Sequence, residues 1–508
     1  MARQLLTEKY AENLDGVLGC FDRMKITGSV QQLCYAEGIT HYMYEHGIRI
    51  FAYLEWAEPL RDAIRNNAVA IAEAQGLTIE YITKKDFRKE DRIQAILSER
   101  GRQPGLVYIF SALETCAAYR PWHDKTTGRT YLKLDSGKCL HYYFYFIDPE
   151  LGLCFLRVPT WCPFRLEFYC NGHARLAAQL ASQGIAYELL DNAFGHITDY
   201  EQANQLATQW DCQWLLSKLD GWAQQYCPVV DALHLSYHWS LAQVEYSLDL
   251  VFKNAQAVRA FYPHLLETLI HAVKPQDIAT FLGKKLQSNY QGEMGNNLKK
   301  RPLGTRIKHQ MGPVTIKLYD KFDRILRIEI TVNDVSFFHQ HREVAHRNGK
   351  HNVEWARMKK TICSLAPLRA LLAAATQRYL KFLSDIETPE LGVQTLDHLT
   401  HSLVEGQHRY KGFNLLSEED TSLFRLILRG EFVINGFTNK ALRQFLPMQT
   451  SSQISRLLKR LRAFNLIMKA GQRYVYYLTH YGRQTISAVL ELRELHLVPA
   501  LAHPVPAG

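Results

Sequence analysis

Segments with strand-like and helix-like hydrophobic patterns alternate through the first quarter of the chain. Runs of β-branched and aromatic residues predict strands at 16–28, 77–82 and 105–114, and apolar residues at helical spacing predict helices at 31–47, 56–75 and 90–100. Strands that alternate with helices are typical of a parallel sheet covered by helices. We therefore predict an N-terminal parallel α/β domain over residues 1–125.

The pattern changes after residue 125, where short aromatic and β-branched runs are separated by turn residues. Such runs lie between residues 138 and 172, and "DPELG" at 148–152 provides a hairpin turn. A helical segment and a strand-like segment follow. This pattern predicts an α+β unit over 126–225 that continues the first domain or packs on it.

Helical spacing dominates from residue 236 to 288, where Pro275 marks the start of a helix. Two alternating segments between 304 and 334 then predict an antiparallel hairpin with one apolar and one polar face. We predict a central mixed α+β domain over 226–386 that contains this hairpin. The acidic stretch that follows, with its proline and glycine, predicts a linker over 387–415.

The last hundred residues predict three helices, a hairpin and a closing helix. The three helices are predicted at 417–432, 438–446 and 450–467, and the hairpin at 467–479. Ser417 lies three residues before Asp420, a spacing that caps a helix. This order of elements predicts a winged helix-turn-helix over 416–495 with a tail at 496–508. The predicted fold class of the whole chain is multidomain, α/β and α+β.

Charge and cysteine content narrow the choice of partner and compartment. The 508 residues carry a formal net charge of +10, and twelve Lys and Arg residues between 421 and 495 face three glutamates. Such a basic module suits a polyanion. The ten cysteines lack the paired spacing of a zinc site, and no signal-peptide pattern or apolar run of membrane length is present. We expect a cytoplasmic protein with reduced thiols and no membrane partner.

The segment "FNLIMKAGQRYVYYLTHYGRQ" (464–484) resembles the end of the recognition helix, the wing and the last helix of MarR-type winged-helix domains. The resemblance implies that the third helix lies in the major groove of duplex DNA. It implies base-edge contacts from Ser452, Gln453 and Arg456, and phosphate contacts from Lys459, Arg460 and Arg473. The alternative is a winged helix used for protein pairing. The terminal helix is expected to pair two copies as a homodimer.

The segment "VTIKLYDKFDRILRIEITV" (314–332) resembles the β-hairpin of plasmid rolling-circle replication initiators. The resemblance implies a nucleophilic Tyr319 flanked by Lys317 and Lys321, with Arg327 and Glu329 on the second strand. A tyrosine that attacks a phosphodiester needs cations near its phenolate and a metal-bound carboxylate near the phosphate. The basic run before the hairpin is expected to hold phosphates through Lys299, Lys300, Arg301, Arg306 and Lys308. The chain departs from such enzymes because its nearest His-x-His triplet, 339–341, has a polar middle residue.

Acidic and histidine residues near the hairpin are candidate ligands for Mg²⁺ or Mn²⁺. Glu245 and Asp249 are four residues apart on a predicted helix and would share a face, with His309 and Asp320 as further ligands. The alternatives are a half-buried helix with two solvent-facing acids and an ordinary core histidine. Asp22, on the first predicted strand, has two interpretations: an acidic residue of a metal-dependent nuclease site, or the partner of the adjacent arginine in an ion pair.

Longer motifs, such as "DGVLGCFDRMKITG" (15–28) and "RYKGFNLLSEEDTSLFRLILRGEF" (409–432), resemble a widespread group of bacterial proteins described as transposase-like or MarR-like. This resemblance implies a mobile genetic element. Two functions stay open. The first is a metal-dependent DNA nicking or strand-transfer enzyme, with single-stranded DNA or RNA bound in the body. The second is a non-catalytic DNA- or RNA-binding regulator, or the scaffold of a ribonucleoprotein.

Overall fold

The computed structural model describes residues 5–84, 86–286, 290, 292–301, 304–346, 348–387, 389–470 and 474–502. The chain divides into two compact units, Met1–Glu387 and Thr388–Gly508. Both contain helices and strands, so the predicted mixed α/β, multidomain class is confirmed. No helix in the described part of the chain combines the length and apolar character that crossing a bilayer requires.

The first unit contains fifteen strands and eleven α-helices in its described residues. The strands are β1 Leu14–Ser29, β2 Ile79–Tyr81, β3 Gly105–His123, β4 Thr130–Asp148, β5 Gly152–Pro159, β6 Leu166–Asn171, β7 Tyr187–Leu189, β8 Phe194–Ile197, β9 His238–Phe252, β10 Met294–Arg301, β11 Gly304–Met311, β12 Val314–Lys321, β13 Ile325–Val332, β14 His339–Ala345 and β15 His351–Arg357. The helices are α1 Leu6–Lys9, α2 Ala36–Glu45, α3 Tyr53–Ala74, α4 Lys89–Arg100, α5 Gly172–Ser182, α6 Tyr200–Leu206, α7 Cys212–Tyr226, α8 Val229–Ala232, α9 Ala255–Ala272, α10 Pro275–Phe281 and α11 Leu365–Glu387.

One mixed sheet of eleven strands organises this unit, in the order β10-β11-β12-β13-β9-β1-β6-β5-β4-β3-β2. Only the pairing of β2 with β3 is parallel among its described pairs, and β1 is antiparallel to both β6 and β9. The predicted parallel N-terminal domain is therefore wrong, because the partners of β1 come from distant parts of the chain. The segments 1–125, 126–225 and 226–386 all contribute strands to this one sheet.

Strand β9 occupies the centre of the sheet, although its sequence predicts a helix. It pairs with β1 on one side and with β13 on the other, and residues 244–252 are all buried. Residues 244–250 alternate apolar and polar side chains, as a strand does, but Glu245 and Asp249 are four residues apart, a spacing that also fits one face of a helix. The predicted helices after it are present as α9 and α10. The predicted hairpin is present as β12 and β13.

The two faces of the central strands are covered differently. One face packs into the main hydrophobic core, where α11 contacts β9 and β13. The other face is covered by α5, which contacts β1. A side chain at Gly172, the first residue of α5, would meet the carbonyl oxygen of Phe21 at 2.2 Å, so a residue without Cβ is required for this close approach.

The second unit contains seven α-helices and two small two-stranded sheets in its described part. The helices are α12 Pro389–Thr400, α13 Glu418–Ile427, α14 Gly430–Asn435, α15 Asn439–Phe445, α16 Ser451–Ala463, α17 His480–Glu491 and α18 Val498–Leu501. The strands are β16 Leu403–Glu405, β17 His408–Tyr410, β18 Ile467–Lys469 and β19 Tyr476–Leu478. The segment 387–415, predicted to be a linker, therefore contains a helix and a hairpin.

Capping residues define where the helices of the second unit begin. The hydroxyl of Ser417 accepts a hydrogen bond from the backbone N–H of Asp420, as predicted, and Thr438, Thr450 and Thr479 cap α15, α16 and α17 in the same way. The apolar stripe predicted for α16 packs inward, because Ile454, Leu458 and Leu461 are buried. On the other side of α16, Arg456, Lys459 and Arg462 are exposed.

Two cysteines of the first unit depart from the expectation of free thiols. Cys212, at the start of α7, and Cys363, just before α11, form a disulfide with a Cα–Cα distance of 4.9 Å. The other eight cysteines are free, and six of them are buried. Those six behave as small apolar side chains of the core, as predicted.

Candidate functional site

A buried polar cluster lies on the face of the sheet that α5 covers. Successive residues of β13 point to opposite faces, so Ile328 and Ile330 enter the main core while Arg327, Glu329 and Thr331 face the cluster. All five of these side chains are buried. The burial of three polar side chains on one face costs stability unless each of them forms hydrogen bonds or ion pairs with its neighbours.

The strand register arranges the cluster as rows that cross four strands. One row runs from Arg306 on β11 through Tyr319 and Arg327 to Asp249 on β9. The next row contains Lys308, Lys317, Glu329 and Ser247. A third contains Gln310, Thr315, Thr331 and Glu245. Directly opposed side chains in adjacent strands are close enough to interact, so cations and carboxylates meet along the first two rows, and a carboxylate meets hydroxyl and amide groups along the third.

Arg327 is the most deeply buried member of the cluster. Its guanidinium donates to both carboxylate oxygens of Asp249, at 2.7 and 2.6 Å, and to Oδ2 of Asp22 at 3.1 Å. It also donates to the backbone carbonyl of Asn192 at 2.8 Å. Two carboxylates and a carbonyl therefore compensate for the burial of this charge.

The N-terminal end of α5 supplies further partners for Asp22. Asn171 caps α5 by accepting from the backbone N–H of His173, and its amide donates to Asp22 at 2.8 Å. The amide of Asn192 also donates to both oxygens of Asp22 at 3.0 Å. His173 is buried, with its Nδ1 3.5 Å from Asp22 and its Nε2 3.4 Å from the hydroxyl of Ser247. The helix start thus holds Asp22 in one orientation.

Tyr319, Glu329 and Lys317 form a connected line on the β12–β13 hairpin. The hydroxyl of Tyr319 donates to Oε2 of Glu329 at 2.5 Å, and Lys317 donates to Oε1 of the same carboxylate. Lys317 also donates to the hydroxyl of Thr331 at 2.8 Å and lies 3.6 Å from Glu245. A hydroxyl bonded to a carboxylate that a third group orients is the arrangement in which a base activates a nucleophile.

The environment shifts the pKa values of these groups in opposite directions. Burial and the Glu329 carboxylate raise the pKa of Tyr319 well above its ordinary value, so the phenol is protonated at neutral pH. Burial acts to raise the pKa of Glu329 as well, but Lys317 and Tyr319 outweigh it and the net shift is downward. Burial and the charge of Glu329 raise the pKa of Glu245. At neutral pH Glu329 is therefore ionised and accepts the hydrogen bond of the protonated Tyr319.

Asp22, Glu245 and Glu329 bring one carboxylate oxygen each within 4.8 Å of one another. Hard divalent cations bind oxygen at roughly 2.1 to 2.6 Å, so ligands on opposite sides of one ion are up to about 4 to 5 Å apart. The donor set contains only oxygen, which suits Mg²⁺, Mn²⁺ or Ca²⁺. The ammonium of Lys317 already lies against two of these carboxylates. The spacing and the oxygen donors of the three residues fit a divalent cation, which would compete with the ammonium of Lys317 for Glu245 and Glu329.

A cleft of about 760 Å³ opens beside this acidic triad, and Glu245, Asn171 and Asn192 line part of its wall. The parallel rings of Phe155 and Tyr169, which also line it, stack with centroids 5.1 Å apart. Further lining residues are charged, namely Arg23, Lys25, Arg88, Arg102, Glu90, Asp91 and Asp191. The cleft gives a molecule in solvent a route to Glu245.

Two of the four predicted metal ligands lie elsewhere. His309 is on the core face of β11, where its Nδ1 lies 2.7 Å from Asn296 and its Nε2 lies 2.8 Å from the hydroxyl of Tyr379. Asp320 is on the opposite face of β12 from Tyr319, because neighbouring residues of a strand alternate in direction. The prediction of both residues as ligands is therefore wrong.

The other two predicted ligands share a face of β9, because an even spacing has this result on a strand as well as on a helix. Only Glu245 belongs to the acidic triad. Asp249 is held by Arg327, and this bond together with His173 lowers the pKa of Asp249 to about 2 against the upward effect of burial. Asp249 thus serves as the counter-ion of Arg327.

The flanking lysines of the hairpin differ in their surroundings. Lys321 donates to the side chain and backbone carbonyl of Asn192, away from Tyr319, and burial and Arg327 lower its pKa to about 8. Lys308 and Arg306 lie on the cluster face by register, and burial with the charges of Lys317 and Arg306 lowers the pKa of Lys308. Lys299, Lys300 and Arg301 belong to β10, but their side chains lie outside the described part.

The interface predicted on α16 is only partly free to contact a ligand. Ser452, Arg456 and Lys459 are exposed. Gln453 closes a capping box with Thr450, whose backbone N–H donates to the glutamine at 2.6 Å. Arg473 lies outside the described residues.

Arg460 was predicted to contact phosphate, but its guanidinium has partners within the second unit. It donates to both carboxylate oxygens of Asp420, at 2.9 and 3.1 Å, and to the carbonyls of Lys411 and Gly412. It also stacks on the ring of Phe413 at 3.8 Å. The prediction of a phosphate contact is corrected, because this guanidinium ties α16 to α13 and to the segment before it.

Several members of the cluster were not identified from the sequence, His173 and Asn192 among them. His173 and Asn192 lie on the α5 start and on the loop before β8, far along the chain from the hairpin. The motif "NGH" at 171–173 is a polar interruption in an aromatic segment, and this is the signal that points to the start of α5. No comparable pattern marks Asn192.

Comparison with known proteins adds little to this geometry. No family model matches the chain, and no curated protein matches it. Among solved structures, the di-domain ARO/CYC BexL from the BE-7585A biosynthetic pathway aligns with 58% of this chain and 93% of its own, at 8% identity and a TM-score of 0.12. A TM-score this low is no evidence of a shared fold, so this likeness gives no information about function.

Proposed function

We propose that the chain is a nucleic-acid-processing protein of mobile-element type, which nicks a strand by means of Tyr319. The hydrogen bond from Tyr319 to Glu329 carries this proposal, because it joins a nucleophile to a base that Lys317 orients. The short resemblance of 314–332 to rolling-circle replication initiators supports the same assignment.

In the proposed reaction Glu329 takes the phenolic proton as the oxygen of Tyr319 attacks the phosphorus. A bond forms between that oxygen and the phosphorus, the bond to the leaving sugar oxygen breaks, and the leaving oxygen takes a proton from water. Lys308 and Arg306, beside Tyr319 on the same face, would contact the non-bridging oxygens of the phosphate. Lys317 would keep Glu329 in position throughout.

Asp22, Glu245 and Glu329 would hold a divalent cation in the proposed site. Such a cation would polarise the scissile phosphate and stabilise its developing charge. Arg327 is too deeply buried to touch a substrate, and we assign it to holding Asp22 and Asp249 in place.

The same proposal includes residues 416–495 as a winged helix-turn-helix that binds duplex DNA. The order of α13, α15, α16, the β18–β19 hairpin and α17 supports it, and Phe437 adds a β-bridge to Tyr476 beside the hairpin. The exposed Ser452, Arg456 and Lys459 on α16 would face the major groove. The exposed Leu492, Leu495 and Leu501 near the C-terminal end support pairing of two copies there.

A non-catalytic DNA- or RNA-binding regulator, or ribonucleoprotein scaffold, is the second candidate. One observation favours it: Lys317 and Arg327, two of the cations around Tyr319, are already paired with carboxylates. In this case the cluster would be a structural centre of the sheet, and the basic groups of β11 and α16 would bind phosphates without cleavage.

A cleavage assay separates the two candidates. Single-stranded oligonucleotide and supercoiled plasmid are incubated with Mg²⁺ or Mn²⁺ and with wild type, Tyr319→Phe, Glu329→Gln or Tyr200→Phe. Tyr200 donates a similar hydrogen bond to Asp15, at 2.8 Å, outside the cluster, and is the matched control. We expect cleavage by wild type and Tyr200→Phe only. Nucleic-acid binding by wild type without any cleavage would favour the second candidate.

A further inference from the structure

Strands β14 and β15, which we call the ribbon (339–345 and 351–357), form a two-stranded sheet that is separate from the eleven-stranded sheet. None of its fourteen residues is fully buried. A two-stranded ribbon without a packed face gains little stability from its own side chains. An exposed ribbon of this kind has a surface that is available to a partner.

One face of the ribbon presents an aromatic surface. The register pairs His339 with Arg357 and His341 with Trp355, so all four side chains share this face with Val353. The indole of Trp355 is 62% exposed, and the ring centroids of His341 and His339 lie 5.0 and 6.2 Å from it. Large exposed aromatic side chains flanked by further rings are typical of a surface that stacks against a planar ligand.

Arg357 lies on this aromatic face and Lys359 follows it two residues later, while Glu343, which pairs with Val353 in the register, is an acidic residue of the same face. The described residues of 339–360 include five Lys and Arg residues and two glutamates, and each glutamate pairs with a histidine across the ribbon: Glu343 with His351 and Glu354 with His346. Burial, together with the nearby charges of Lys284 and Arg357, lowers the pKa of His339. The partner of this face should therefore combine planar groups with negative charge.

We propose that the ribbon binds an unpaired stretch of nucleic acid, with a base stacked on Trp355 and phosphates held by Arg357 and Lys359. The inference rests on the proposed function, because the partner is the same nucleic acid that Tyr319 would cleave. An unpaired strand is favoured over a duplex, since base pairs hide the base faces that an exposed indole could stack on. The ribbon of the first unit would hold the unpaired strand, whereas α16 of the second unit would contact duplex DNA.

The test is the affinity for a short labelled single-stranded oligonucleotide, measured by fluorescence anisotropy in EDTA so that no strand is cut. Trp355→Ala should weaken binding about tenfold or more, the loss expected for one stacked base, while Trp355→Phe should stay within about threefold of wild type. Phe51→Ala, which removes a ring that is 68% exposed elsewhere on the first unit, is the matched control and should bind as wild type does. Affinity for a duplex of the same length should be unchanged in all three variants.

Thermal unfolding of each variant establishes that the fold is intact. Wild-type affinity in Trp355→Ala would overturn the proposal, and so would an equal loss of duplex affinity or a Trp355→Phe variant as weak as the alanine variant. Because binding is measured without cleavage, the two proposals fail separately. Strand binding that depends on Trp355, without any nicking, would overturn only the enzymatic proposal. Nicking together with a strand affinity that is the same in wild type and Trp355→Ala would overturn only the proposal that the ribbon binds the strand.

Discussion

Arg327 and Asp249 form a bidentate ion pair between β13 and β9, and both side chains are almost completely excluded from solvent. The pair lies at the centre of the polar cluster and ties together strands that are separated by 78 residues. Removing one member of a buried ion pair leaves an uncompensated charge, which costs much more than an exposed pair contributes.

Asp249→Asn should therefore lower the free energy of unfolding of the first unit by about 3 kcal/mol. The matched control is Asp323→Asn, which removes the exposed ion pair with Arg259 and should cost less than about 1 kcal/mol. Urea denaturation followed by tryptophan fluorescence measures both. Equal losses in the two variants would mean that Arg327 does not depend on Asp249.

A second prediction concerns the pH dependence of stability through His309. Burial lowers the pKa of His309 to about 4. As the pH falls, this histidine is therefore protonated near pH 6.5 in the unfolded chain but only near pH 4 in the folded chain. As the pH decreases from about 6.5 to about 4, the free energy of unfolding should decrease by about 1.4 kcal/mol for each pH unit because of this residue alone. His141, whose pKa burial also lowers to about 4, acts in the same direction.

His309→Gln keeps polar atoms next to Asn296 and Tyr379 but does not titrate. Between pH 6.5 and 4 the free energy of unfolding of the variant should depend less steeply on pH than that of wild type, and the two slopes should differ by roughly the contribution of one proton. Denaturation midpoints across this range provide the measurement. Parallel curves for wild type and variant would show that the pKa of His309 is the same in the folded and the unfolded chain.

Metal binding at the acidic triad can be measured without any enzymatic assay. Wild type should bind one Mn²⁺ per chain in calorimetric titration, and Asp22→Asn or Glu329→Gln should weaken that binding by about tenfold or more, since each removes a charged ligand. Glu114→Gln is the matched control, because Glu114 pairs with Arg157 and Tyr143 outside the triad. Equal Mn²⁺ affinity in all variants would show that the acidic triad does not bind the metal.

The contrast between Arg456 and Arg460 separates binding from folding in the second unit. Arg456→Ala removes an exposed cation from α16 and should weaken duplex affinity about tenfold, with no loss of stability. Arg460→Ala breaks the bonds to Asp420 and to two carbonyls, so it should cost about 2 kcal/mol of stability. Electrophoretic mobility shifts and thermal unfolding measure the two effects, and unchanged duplex affinity in Arg456→Ala would contradict the proposed orientation of α16.

Local pattern was sufficient to predict the elements whose two faces differ in polarity. The β12–β13 hairpin alternates because one of its faces is apolar and the other is polar, although every residue of β13 is buried. The helices α13, α15 and α16 repeat cleanly because each has one buried and one exposed face. Strand β9 is an exception: residues 244–250 alternate, but the even spacing of Glu245 and Asp249 fits a helix as well as a strand, and the pairing of β9 with β1 and β13 is not visible in the local pattern.

The polar cluster could be predicted only in part for a similar reason. Lys317, Tyr319, Arg327 and Glu329 lie in one hairpin, so their shared face follows from local spacing. The contact between Asp22 and Arg327 joins residues 305 positions apart, and no local pattern encodes such a partner. The role of Asp22 and the absence of His309 from the cluster became evident only from the pairing of the strands.

The most direct test of the central claim is to trap the covalent link between Tyr319 and a cleaved strand. Labelled single-stranded oligonucleotide is incubated with the protein and Mg²⁺ or Mn²⁺, the mixture is denatured, and label that stays on the protein is mapped by mass spectrometry. The account predicts a phosphotyrosine-linked adduct at Tyr319 in wild type and in Tyr200→Phe, and none in Tyr319→Phe. An adduct that persists in Tyr319→Phe, or strand cleavage without any adduct, would contradict it.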